Sequence, residues 1–182
     1  MAKALPGKIS IFLSLDPDIF KGYFNAQDPA PIYKRQLSHE FEQYIMACSQ
    51  SAKRYNEFVY KISWRNEEDK EFAEPLVYAI RRHFSEKKEI RQAEFEKFKR
   101  RTYSLLLVSI TVVMVCHHFL PLLFNGNKII HTGLSNSMDV FTWVILWKPI
   151  DRLIFYWNPF LKEISLLDRL QKAEVITNKV ED

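Results

Sequence analysis

Two adjacent histidines, His117 and His118, lie inside a run of otherwise apolar residues, and Asp139 lies in a second such run. Ionisable side chains are costly in hydrocarbon, so within a membrane they are by default candidates for handling protons or ions. Together the three make a possible intramembrane polar site. Imidazole titrates close to neutrality and could relay protons with a carboxylate, or one ring nitrogen could ligate haem. The plainer account is neutral histidine near an interface, hydrogen-bonded to water or a neighbouring helix. It is preferred, and no cofactor is expected.

Elsewhere the residues that could do chemistry do not cluster. Cys48, His39 and His83 are scattered, with no zinc-ligand spacing, glycine-rich phosphate loop or nucleophile elbow. Asp16-Pro17-Asp18 is better explained as a turn than as a cation loop. Cys48 and Cys116 are the only cysteines and imply no disulfide framework. Enzymatic activity is therefore unsupported, and neither a metal site nor a catalytic residue is expected. A secretory signal is not expected either, because Ile9–Leu15 is too short and runs into Asp16-Pro17-Asp18.

The elements that would position the histidines and Asp139 follow from the uneven distribution of charge. Residues 1–102 hold 19 Lys/Arg and 15 Asp/Glu, whereas residues 103–147 hold only Lys128 and Asp139. Tyr103–Phe124 lacks any charged side chain and, as a helix, would extend roughly 33 Å, enough for one bilayer crossing. Gly133–Trp157 is the expected second crossing. It is interrupted by Asp139, Lys148, Pro149, Asp151 and Arg152, with a kink expected near Pro149. A short extracytoplasmic loop, 125–132, would join the two.

Trp143, Trp147, Phe155, Tyr156 and Trp157 fit an aromatic belt. Lys97, Lys99, Arg100 and Arg101 precede the first run, and Lys148, Arg152 and Lys162 follow the second, which places both ends on the cytoplasmic side. Lys99, Arg100, Arg101, Lys148 and Arg152, with Trp147 and Trp157, are possible contacts to the membrane interface or to anionic lipid.

The remaining sequence predicts a small α+β domain over 1–84. Ile9, Ile11, Leu13 and Leu15 alternate along one strand, and Phe58, Tyr60, Ile62 and Trp64 along another. Leu37, Phe41, Tyr44, Ile45 and Cys48 form one helical stripe to cover them. A proline-rich loop, Asp16–Pro31, separates the first strand from that helix.

Leu76–Leu120 contains neither Gly nor Pro, which predicts one long helix through a charged stalk at 85–102 into the first span. The mixed signs of that stalk suit helical ion pairs, and no nucleic-acid partner is expected. In 158–182, a helix at Phe160–Gln171 and a short strand at Ala173–Thr177 are expected to return to the sheet.

The block Trp147-Lys-Pro-Ile-Asp-Arg-Leu-Ile-Phe-Tyr-Trp-Asn-Pro159, with the N-terminal strand and Asp-Pro loop, resembles a group of bacterial two-span membrane proteins. The resemblance implies architecture and bacterial origin and carries no activity. The expected fold is an integral membrane hairpin of two transmembrane helices plus a small α+β cytoplasmic domain. The expected role is a non-enzymatic interaction or assembly module of the bacterial inner membrane, its partners the lipid bilayer and either its own copies or another protein. The alternatives are an oligomeric transport, pore or envelope-stress component using His117, His118 and Asp139, and an enzyme acting on a lipid or membrane cofactor.

Overall fold

The computed structural model describes residues 7–53, 55–123 and 128–180. The chain is mostly helical with a small parallel sheet, and divides into two compact units. One comprises Met1–Ile90 with Lys162–Asp182, the other Arg91–Leu161.

The first unit is built on three strands in the order β1 (Lys8–Ser14), β2 (Glu57–Trp64), β3 (Glu174–Lys179). Alternation predicted β1 and β2. Both neighbouring pairs are parallel, with Ile11 opposite Tyr60 and Tyr60 opposite Val175. The long crossovers that parallel pairing requires are helical. Helix α1 (Pro17–Gly22) starts where a turn and loop were expected. Pro17 suits the first helical turn, and Phe20 gains burial in the core. Helix α2 (His39–Ser49) is capped by the Ser38 hydroxyl, which accepts from the Phe41 amide.

One face of the sheet is covered. Ile11, Leu13, Phe58, Tyr60 and Ile62 form a core with Phe41 and Ile45 of α2, Leu76, Ile80 and Phe84 of α3 (Ala73–Leu123), and Leu167 and Leu170 of α5 (Trp157–Gln171). The buried Tyr60 hydroxyl donates to the Leu170 carbonyl at 3.1 Å, and burial raises its pKa above the ordinary tyrosine range. On the opposite face Phe12 is 64% exposed under the Lys61 ammonium, and the Lys8–Glu174 ion pair joins the two outer strands.

The two borders of the sheet differ. At β1 the Ser14 amide donates to the Tyr23 hydroxyl and the Tyr44 hydroxyl donates to the Phe12 carbonyl. At β3 the Val180 amide donates inward to Trp64, so the amides and carbonyls of Val175, Thr177 and Lys179 point away from β2. Among the described residues no side chain bonds to them.

The second unit contains the later part of α3, helix α4 (Lys128–Phe155) and the start of α5. The expectation of two membrane-crossing helices is met in part. Among the described residues, α3 holds one stretch long and apolar enough to cross a bilayer, and only 11% of that stretch is buried. In α4 the apolar run is diluted by Ser137 and Asp139.

Helix α4 runs through Pro149 and stops at Phe155. It also begins earlier than expected: residues 128–132, assigned to a loop from sequence, are helical, while 125–127 lie outside the described residues. The first six residues of the expected 1–84 domain also lie outside them.

Candidate functional site

In the second unit, burial marks a seam between two helices. On α3 Thr102 and Ser109 are buried, with Leu106 and Val113 half-buried between and beyond them. On α4 Met138 and Pro149 are buried, with Thr142, Leu146 and Leu153 half-buried. The residues recur at the three- and four-residue steps of a helix face.

Counting equal steps of helix from either side of the Leu123–Lys128 connection places Thr102 level with Pro149, Ser109 with Thr142 and Val113 with Met138. At the base, α3 meets the start of α5, where Phe95 lies edge-on to Trp157 at 5.4 Å and near Phe160 at 5.8 Å. Among the described residues the buried hydroxyls of Thr102 and Thr142 have no hydrogen-bond partner. By contrast, Thr111 and Ser137 donate back to carbonyls one turn earlier.

Away from the seam both helices present hydrocarbon outward. Leu107 and Met114 on α3 and Trp143 and Val144 on α4 are each between 67% and 69% exposed, with Val108, Phe119, Val140 and Trp147 also largely uncovered. Trp143 stacks on Trp147 at 5.5 Å and 17°.

His117 and His118 are exposed on α3, the latter against Phe119, in an open groove also lined by Met114 and Val115. Asp139 is exposed on α4. The three do not form a cluster: among the described residues no hydrogen bond or ion pair links a histidine to Asp139, and no group of three metal-binding side chains occurs. The early start of α4 explains the separation. It places Asp139 eleven residues into α4, while His117 lies six residues before the end of α3.

The basic residues expected at the interface lie on α3 just before its apolar stretch and on α4 near its end. Counting helical steps from the Leu123 and Lys128 ends sets Lys99, Arg100 and Arg101 of α3 against Lys148, Asp151 and Arg152 of α4. Lys99 pairs with Glu96 at 2.6 Å, and its ammonium lies over Phe95. Arg100, Arg101 and Lys148 are exposed and Arg152 is half-buried. Trp147 is exposed one residue before Lys148, and Trp157 is half-buried against Phe95.

Sequence reasoning missed a cluster in the first unit. Glu42 of α2 is bonded by Lys87 and, at 3.1 Å, by His83, both on α3. Burial pushes the Glu42 carboxyl up, but Lys87 and His83 outweigh it and hold the pKa below its ordinary value. Nearby, Asp168 of α5 bridges Lys88 and Lys172 at 2.8 and 2.9 Å, and their hydrogen bonds lower its pKa. The only available signal was helical spacing, since Glu42 shares no motif with residues forty positions later. Both clusters clamp helices together and leave no vacant coordination geometry.

Compared with protein-family models, with curated proteins and with solved structures, the chain matches none.

Proposed function

We propose that the chain is a membrane-anchored, non-enzymatic interaction or assembly module of a bacterial inner membrane. The α3–α4 hairpin spans the bilayer, and the α/β unit works in the cytoplasm. The observation that carries this reading is the exposed hydrocarbon on both sides of the hairpin seam, from Leu107 and Met114 to Trp143 and Val144. Contiguous apolar surface of that extent is unfavourable in water and suits lipid.

The helical start at Lys128 adds support, because Ile129–Trp147 is then a helical stretch of about 28 Å, close to the thickness of a hydrocarbon core. The excess of basic groups at the base of the hairpin favours both termini inside. The assignment to assembly, rather than catalysis, rests on the first unit, whose polar clusters are spent on helix-to-helix ion pairs.

Cysteine accessibility tests the topology. With Cys116 replaced by serine, a cysteine at Asn127 should react with an impermeant maleimide in intact cells, and one at Lys61 only after lysis. The opposite pattern, or release of the chain by alkaline carbonate, would remove the topology or the membrane assignment respectively. Crosslinking of the tagged full chain in cells tests the rest. A self-adduct or one recurrent partner joined through the first unit is expected, and a solitary monomer would defeat the interaction role.

A further inference from the structure

Most cations for which a contact is seen are matched to a carboxylate: Lys8 to Glu174, Arg82 to Glu86, Lys87 to Glu42, Lys88 and Lys172 to Asp168, Lys99 to Glu96 and Lys179 to Glu67. Others, such as Arg81 and Arg169, are held by backbone carbonyls, and the base of the hairpin has neither arrangement. Among the described residues Arg101, Lys148 and Arg152 have no carboxylate within ion-pair distance. Arg152 is nonetheless half-buried.

Helical geometry places the three on one side. On α4 Lys148 and Arg152 are one turn apart, and both lie to the same side of the seam set by Pro149. On α3 Arg101 is one step from Thr102, which faces the seam. Because the two helices run in opposite directions, that step brings Arg101 out on the side where Lys148 and Arg152 emerge. By helical steps Arg100 falls away from the seam, Lys99 falls on the other side and is already paired, and Asp151, half-buried, falls on the side of α4 opposite Pro149.

Counted by helical steps, two guanidinium groups and an ammonium thus fall on one side of the hairpin, about one turn below the end of the apolar stretch and near Trp147. Planar guanidinium groups bind phosphate through paired hydrogen bonds. Arg169 of α5, also half-buried, is satisfied by the carbonyls of Lys53, Asn56 and Ser165, whereas among the described residues Arg152 has no such acceptor. We propose that Arg101, Lys148 and Arg152 form a binding site for the phosphate headgroup of an anionic phospholipid. The site rests on the membrane reading above, since it takes its ligand from the leaflet that the hairpin crosses.

The test uses the full chain reconstituted in phosphatidylcholine vesicles containing a small fraction of either brominated phosphatidylglycerol or brominated phosphatidylcholine, with tryptophan quenching as the readout. Brominated phosphatidylglycerol should associate at least about fivefold more tightly than brominated phosphatidylcholine. The triple variant Arg101→Gln, Lys148→Gln, Arg152→Gln should bring the two within about twofold of each other, since it removes the charged contacts.

Arg100→Gln removes the same charge from outside the site. If it lowers the preference as much as Arg101→Gln does, diffuse charge accounts for the effect and the site is overturned. Should the triple variant misfold, Arg101→Gln and Arg152→Gln singly must each reduce the preference. Equal quenching of the wild type by both lipids would refute the site while leaving the membrane reading intact. Absence of quenching, with the chain failing to float with vesicles, would sink both. Displacement of the preference by millimolar inorganic phosphate would assign the site to a soluble anion and overturn the lipid source.

Discussion

Glu42 is the residue with the most at stake in the first unit, because its carboxylate is largely buried between an ammonium and an imidazole. Its pKa is lower folded than unfolded, so the unfolded chain binds the proton more readily. The contribution of this contact to stability is complete above the ordinary value of 4.5 and disappears as pH falls through the lower folded value. Glu42→Gln should therefore cost about 1–2 kcal/mol near neutrality and flatten the acid limb of the stability profile. Denaturant unfolding of the full chain in detergent, followed at several pH values, checks both. An acid limb unchanged in the variant would show that other carboxylates control it. Tyr60→Phe tests the other buried polar contact: it removes one of two hydrogen bonds to the Leu170 carbonyl, which keeps the Ala173 amide at 3.4 Å, and should cost about 0.5–1.5 kcal/mol at any pH below the tyrosine range.

Helices and strands were unequally legible. The alternation of Ile9, Ile11 and Leu13 and of Phe58, Tyr60 and Ile62 identified β1 and β2, because each strand covers only one face. The parallel sense was not readable, since it depends on where crossovers return the chain and not on any strand's own pattern. Glu174–Lys179 is short and mostly exposed, so its pattern carried little information. The start of α4 was hidden by His131, Thr132, Gly133 and Ser135, whose composition resembles a loop, and that error shifted the depth assigned to Asp139. The basic residues at the hairpin base were visible individually, but the side on which three of them converge required the burial of Thr102 and Pro149. The seam itself makes a prediction. Ser109→Leu should overpack it and cost about 1–3 kcal/mol, whereas Val108→Leu on the exposed face should change little. Thermal unfolding in detergent distinguishes them, and equal effects would mean that Ser109 does not face α4.

For the chain as a whole, the opposing demands of water and lipid give a direct test. Met114 is 67% exposed on α3. Met114→Arg should impair insertion by about 2.5–3.5 kcal/mol if that surface faces hydrocarbon, and carbonate-resistant membrane recovery should fall. If the surface faced water, the same substitution would improve solubility and leave recovery unchanged. The unequal borders of the sheet bear on assembly in another way. Tyrosine hydroxyls occupy backbone groups at β1, while outward groups of β3 are available. Addition of a strand is therefore favoured at β3 over β1: two molecules joined through β3 would present edges on which tyrosine hydroxyls already hold the Ser14 amide and the Phe12 carbonyl, which disfavours growth into a fibre.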